Sequence, residues 1–207
     1  MIRLAIVGCG GEAREHARIL QKITDCAVTA LVSQTPAHIE QFQNDFFPNA
    51  HGYSEYDELI DAQPDDLDAV LLLTPHALHY PQAKSALQAG YHVLTEKPMA
   101  TRAENARELE QLVESTRRQI GIAFQAPFSA PFQYLKRLRD NGKWGSPQII
   151  QGWLAQDWMR HSLLTWRQDP ELSGGGQMYD SGSHVLNAIL WLMDEPVIEV
   201  SCMIDNL

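Results

Sequence analysis

Residues 2–13, Ile2-Arg3-Leu4-Ala5-Ile6-Val7-Gly8-Cys9-Gly10-Gly11-Glu12-Ala13, decide the fold. The apolar run Ile2–Val7 has the length of a buried strand. It feeds a G-x-G-x-x-A segment that opens a helical pattern over Glu12–Ile23. In that arrangement Gly8 permits a tight turn, Gly10 lets a pyrophosphate approach the backbone, and Ala13 lets helix and strand pack closely. The start of the helix, at Gly11, offers unpaired N–H groups and a partial positive charge to a phosphate. Gly8, Gly10, Gly11 and Ala13 are therefore the candidate residues for cradling a dinucleotide.

The same two periodicities alternate outward from this stretch. Short apolar runs recur at Ala27–Val32, Ala69–Leu73, Val93–Thr95 and Ile120–Phe124. Helical patterns fill the gaps at Pro36–Phe46, Glu55–Ala62, His79–Ala89 and Arg102–Arg118. Thr101 with Glu104 reads as a capping box for the last of these, and Gly90 stands where a residue just past a helix belongs. Apolar strands alternating with helices predict an α/β fold, a parallel sheet covered on both faces. Right-handed crossovers then make it a doubly wound sheet of the Rossmann type.

After Phe124 the texture changes. All five tryptophans (Trp144, Trp153, Trp158, Trp166 and Trp191) fall there, with a glycine cluster at Gly174-Gly175-Gly176. We expect a helix over 132–141, a strand over 148–154, a helix over 183–193 and a last strand over 197–203. The chain thus divides into a dinucleotide-binding domain, 1–120, and a short, incomplete-looking α+β domain, 121–207, for substrate binding and oligomerisation. An incomplete sheet leaves unpaired edges, so a homo-oligomer, dimer or tetramer, is expected.

Composition narrows the function. The chain has 207 residues, of which 44% are hydrophobic and 20% charged, which excludes a disordered or collagen-like chain. With 16 Lys and Arg against 26 Asp and Glu the net charge is −10, so no nucleic-acid partner is expected. Three cysteines form no disulfide framework and fit a reducing compartment, so the cytoplasm is the expected location. No apolar run approaches the ~20 residues of a membrane helix, and Ile2–Val7 is not a signal peptide. No metal ligand set is assigned.

The reader of the coenzyme ribose is not evident. An acidic residue is expected about 20 residues past the glycines, at the end of the second strand, to bond a ribose 2′-hydroxyl. Ser33, Gln34 and Thr35 stand there instead, with neither a carboxylate nor an Arg or Lys beside them. Ser33, Thr35 and His38 can donate to phosphate, which tilts the choice between NAD and NADP toward NADP.

Three further segments carry a resemblance. Leu71-Leu72-Leu73-Thr74-Pro75-His76-Ala77-Leu78-His79 leads through a helix to Ala89-Gly90-Tyr91-His92-Val93-Leu94-Thr95-Glu96-Lys97-Pro98. Farther on comes Gly174-Gly175-Gly176-Gln177-Met178-Tyr179-Asp180-Ser181-Gly182-Ser183-His184. With the amino-terminal glycines, these ordered motifs strongly resemble the glucose–fructose oxidoreductase, inositol dehydrogenase and MocA family over essentially the whole chain. The resemblance implies an NAD(P)-dependent oxidoreductase acting on a sugar, cyclitol or related carbinol. It implies that Lys97, Asp180 and His184 are the catalytic set and that the Lys97–Pro98 bond is cis. Asn187 departs from the family, many of whose members carry Asp there.

The chemistry of these residues agrees with that assignment. Hydride removal from a carbinol requires removal of the hydroxyl proton as well. Lys97 stands at the carboxyl end of the 93–95 run, where open α/β sheets bind ligands, and an ammonium there can donate to the substrate oxygen. His184 is a proton acceptor suited to neutral pH. Asp180 precedes it by one helical turn and can orient it. Thr74, Pro75 and His79 lie beside the expected nicotinamide path, and Glu96, Lys97 and Pro98 form the strand end facing it. Trp166 and Arg167 are candidates for stacking on a sugar ring and holding a hydroxyl or carboxylate. Two other activities fit the same residues: a glycosidase using bound coenzyme, and a non-catalytic nucleotide or sugar sensor. Retention of the Lys/Asp/His set weighs against the sensor.

Overall fold

In the computed structural model, which describes residues 1–143 and 145–203, the run Ile2–Val7 forms β1 and α1 follows at Gly11–Leu20. The chain then alternates through β2 (Cys26–Val32), α2 (Pro36–Asp45), β3 (His51–Tyr53), α3 (Tyr56–Ala62), β4 (Ala69–Leu72) and α4 (His76–Gln88). It continues through β5 (His92–Thr95), α5 (Ala103–Thr116) and β6 (Ile120–Ile122). Every strand pairs parallel to its neighbours, in the order β3-β2-β1-β4-β5-β6. This is the doubly wound Rossmann sheet read from the sequence.

Strand alternation explains the unbroken apolar runs. Ala5 and Val7 of β1 join Val32, Val70, Leu72 and Val93 in one core, and Leu4 and Ile6 join Leu31 and Leu71 in the other. Helices close both faces: Leu59, Ala83, Leu87 and Leu109 on the first, Ala13, Ala17 and Phe42 on the second. A strand buried on both faces has no polar side to alternate with.

Two local expectations are corrected. The capping box at Thr101 and Glu104 does not form. Arg102 is the residue that precedes α5, and no side chain caps it. Thr101 is instead packed where a side chain on Gly174 would stand, and its carbonyl accepts from the Tyr179 hydroxyl at 3.3 Å. The helix that does carry a reaching acid is α3: Glu58 accepts from the Ser54 and Glu55 backbone amides. Strand β3 was not expected, because three residues are too short to show a period.

The chain forms two units. The first comprises Met1–Ala123 with Asp157–Asp180, and the second comprises Phe124–Gln156 with the residues from Ser181 on. The return segment of the first unit carries α7 (Trp158–Ser162), a 3-10 turn at Trp166–Gln168, α8 (Pro170–Ser173) and a π turn beginning at Met178. The second unit holds α6 (Ala130–Asp140) and α9 (Ser183–Met193). Lys136 of α6 lies over the Trp191 ring and, with Arg139, bonds the Asp194 carboxylate just past α9.

The strands expected over 148–154 and 197–203 do not form. A strand exists through its ladder, and neither segment has one. Ile149, Trp153, Ile198 and Val200 are each at least 80% exposed, so no sheet face covers them. Trp144 lies outside the described residues. No described helix is long and apolar enough to cross a membrane.

Phe42 is wholly buried between α2 and the sheet, whereas Phe128 is 83% exposed. We expect Phe42→Ala to cost about 3–5 kcal/mol in denaturant unfolding and Phe128→Ala less than about 0.5 kcal/mol.

Candidate active site

The turn after β1 sets the first half of the site. Gly8 has φ +96°, and a Cβ there would meet the Leu73 carbonyl oxygen at 2.9 Å, so only glycine fits. Gly10 has open space where its Cβ would stand, leaving its backbone approachable at the start of α1. Ala13 is fully buried under that helix. A cavity of about 570 Å³ runs from Gly8 and Gly10 past Ser33 to Glu55, and back along Thr74 and Pro75. That volume is ordinary for a cofactor site. Open backbone at a helix N-terminus, polar groups along one wall and Leu78 and Leu172 along another fit a dinucleotide.

The second half forms where β4 and β5 end. The ends lie level, because Leu72 pairs with Thr95. His79, wholly buried on α4, lies within hydrogen-bond distance of both the Thr74 and Pro98 carbonyls, at 2.8 and 2.7 Å. It thereby ties the strand-end loop of β4 to that of β5. Burial lowers its pKa against the pull of the two carbonyls. The Lys97–Pro98 bond is cis. Glu96 receives the His16 ring at 3.0 Å, and its own amide is held by Leu72.

Lys97 meets Asp180 there. The ammonium donates to Asp180 Oδ1 at 2.8 Å and to its carbonyl at 2.7 Å. The other carboxylate oxygen accepts from Trp158 Nε1 at 3.0 Å and Arg167 Nε at 3.2 Å. Both side chains of the Lys97–Asp180 pair are nearly buried. Burial pushes the Asp180 carboxyl up, but the Lys97 and Trp158 hydrogen bonds and the two cationic neighbours outweigh it and hold the pKa at about 2. His76 Nε2 stands 3.8 Å from Asp180 Oδ1, while its Nδ1 bonds the Ser173 carbonyl at 2.8 Å. Burial lowers the His76 pKa to about 4, so it is neutral at physiological pH. Trp166 and His76 meet in a T-shaped pair with ring centres 4.7 Å apart, and Trp166 lies under the Arg167 guanidinium.

His184 belongs to the second unit. It sits in the first turn of α9, with its ring edge-on to Phe124 at 5.9 Å. Asn187, one turn on, has a buried Oδ1 without a hydrogen-bond partner among the described residues.

The comparisons with known proteins fit this geometry. Residues 2–124 match the family model for the GFO/IDH/MocA oxidoreductases, described as an NAD-binding Rossmann fold, and residues 132–207 match the model of their C-terminal domain. The chain belongs to the GFO/IDH/MocA oxidoreductase family.

Among members of that family, D-xylose 1-dehydrogenase [NADP(+)] of Haloarcula marismortui is 30% identical over 96% of this chain and 56% of its own length. Inositol 2-dehydrogenase of Agrobacterium fabrum is 29% identical over 95% and 56%. The crystal structure of scyllo-inositol dehydrogenase from Lactobacillus casei, with bound NAD(H) and scyllo-inositol, superimposes with a TM-score of 0.82 at 26% identity. That match covers 94% of this chain and 56% of the enzyme. The chain therefore spans little more than half the length of these GFO/IDH/MocA relatives.

Of the residues singled out in the sequence, Gly8, Gly10, Ser33, Thr74 and Pro75 line the cavity together with Trp166. Lys97, Asp180 and Arg167 form the charged cluster. Three contributions went unread. Trp158, a candidate for stacking on a sugar ring, was not expected to bond Asp180, nor His76 to stand beside it, because only the fold brings residues 158 and 76 to residue 180. His16 was hidden because a helix face gives no sign of meeting Glu96. Glu12, His16 and Glu96 place one ligand atom each within 4.8 Å of one another, a spacing compatible with a cation. The His16–Glu96 hydrogen bond also satisfies that pair without one.

The folded pKa of Asp180 lies below its ordinary 3.8, so its ionisation stabilises the fold above about pH 4, and that contribution is lost as pH falls toward 2. The contribution is of order 2 kcal/mol. We expect Asp180→Asn to flatten the stability loss between about pH 4 and 2 in denaturant titrations, while lowering stability at neutral pH by leaving Lys97 unpaired.

Proposed function

We propose that this protein is an NAD(P)-dependent dehydrogenase that oxidises, or in reverse forms, a carbinol on a sugar or cyclitol. The observation that carries this reading is the Lys97 ammonium, held by Asp180 at the carboxyl end of the sheet in the same unit as the glycine-lined groove. When bound, the nicotinamide coenzyme supplies the hydride acceptor or donor. The chain's own residues handle position and proton.

Lys97 donates to the substrate oxygen and stabilises charge developing there. Asp180 keeps the ammonium paired and aimed, and Trp158 and Arg167 keep Asp180 in place. His184 is the proposed acceptor of the hydroxyl proton. Arg167 spends its Nε on Asp180, which leaves its terminal nitrogens for a substrate hydroxyl or carboxylate. Trp166 lines the groove.

The names of the xylose and inositol dehydrogenases above support the substrate class. The proposed division of labour gives 1–120 the coenzyme and 121–207 the substrate and the subunit contacts. Exposed Ile149, Trp153 and Ile198 of the second unit support a homo-oligomer. The net charge of −10 offers little to a nucleic acid, and three free cysteines suit the reducing cytoplasm.

The test is reduction of NAD and NADP by a panel of aldoses, inositols and glycosides, followed by nicotinamide absorbance. We expect turnover with at least one member, and Lys97→Met to lower kcat/KM by about 10²–10⁴ while coenzyme still binds. Unchanged turnover in Lys97→Met would remove Lys97 from the chemistry. Coenzyme binding with no turnover across the panel would make the protein a sensor on this fold.

A further inference from the structure

The wall of the groove farthest from Lys97 carries a carboxylate that the end of β2 lacks. Val32 of β2 pairs with Tyr53 of β3, and the Ser33 amide donates to the Tyr53 carbonyl, so the two strands end level. Gln34 and Glu55 each stand two residues past that paired row. Gln34 Nε2 donates to both Glu55 oxygens, at 3.0 and 3.4 Å, and the Glu55 side chain also accepts from the Glu58 amide at the start of α3. Both residues line the same cavity as Gly8 and Gly10.

We propose that Glu55 is the ribose-reading carboxylate of this groove and that it selects the coenzyme lacking a 2′-phosphate, NAD(H) over NADP(H). The inference rests on the nucleotide-site reading given under the proposed function. A carboxylate at this height accepts from vicinal ribose hydroxyls. A 2′-phosphate brings about two negative charges to the same place.

The rest of the wall does not compensate. Among the described residues no Lys or Arg lines the cavity, and His38 is the one imidazole there. The other ionisable groups, Cys9 and Tyr56, have pKa values raised by burial to about 12, so both are neutral. A second carboxylate, Glu58, lies one turn beyond Glu55, bonded to the Ser54 hydroxyl and amide. The neighbouring helix α2 opens with Pro36, which removes one of the N–H groups a phosphate would use at its N-terminus. Ser33 and Thr35 offer hydroxyls but no charge, and the Thr35 amide is already spent on the Ser33 hydroxyl at 3.3 Å.

The experiment is titration of the full chain with NADH and with NADPH, read by nicotinamide fluorescence and by the shift in thermal midpoint. We expect NADH to bind about tenfold tighter or more, because like charges a few ångströms apart at a protein surface repel on that scale. The gap narrows as salt is raised. Glu55→Gln, which keeps an acceptor and removes the charge, brings the two dissociation constants within about threefold. Gln34→Arg tightens NADPH alone by about tenfold. Equal or tighter binding of NADPH by the unmodified chain, or a ratio unmoved by Glu55→Gln, overturns the selection while leaving the nucleotide site standing. Binding of neither coenzyme to a folded sample overturns both readings.

Discussion

β1 is hydrogen-bonded on both edges and buried on both faces, and the rest of the first unit follows from that placement. The part of the strand in this position must be apolar, which Leu4–Val7 is; Ile2 and Arg3 stand at its less buried start. Its parallel neighbours each need a crossover, and the crossovers need helices with an apolar side to cover the two cores. The chain winds one way from β1 to β3 and the other way from β4 to β6, so the carboxyl ends of β1 and β4 diverge into a crevice. Gly8 leaves β1 at that point with a backbone that no side chain tolerates. The groove is thus a consequence of strand order before it is a matter of any particular side chain.

The charged cluster at Lys97 solves a different problem. A nearly buried ammonium beside an apolar sheet is costly unless paired and hydrogen-bonded. Asp180 supplies the pair, and Trp158 and Arg167 satisfy the carboxylate oxygen that Lys97 leaves over. Lys97 is attached to β5 and Asp180 to the return segment, so the pair also fastens that segment to the sheet. The buried His79 lies within hydrogen-bond distance of a carbonyl on each of the two strand-end loops. Lys97 is thus held by Asp180, which Trp158 and Arg167 hold in turn. At the far wall Gln34 bonds Glu55.

Much of this was open to a reading of residues alone. The alternation of apolar runs and helical patterns placed five of the six strands and all five helices of the sheet to within a few residues. Gly8 and Gly10 were readable because a tight turn and an approachable backbone leave glycine few substitutes. Lys97 and Asp180 were readable through the motifs they stand in. The failures have physical causes. His51–Tyr53 is a strand because β2 lies beside it, not because its three residues favour one. Residues 148–154 and 197–203 have strand-like composition but no ladder, and composition does not supply a hydrogen-bond partner. Thr101 has the chemistry of a cap, but its place against Gly174 takes it elsewhere.

Local pattern therefore determined the order of elements, the doubly wound class and the glycine turn, since each depends on neighbours in sequence or on a period of two or 3.6 residues. The tertiary structure alone decided which charges meet. Asp180 reaches Lys97 across 83 residues, and His16 reaches Glu96 across 80. Gln34 meets Glu55 only because β2 and β3 end level. No periodicity encodes such pairs. Their energies depend on burial and on distances of about 3 Å, and folding creates both at once.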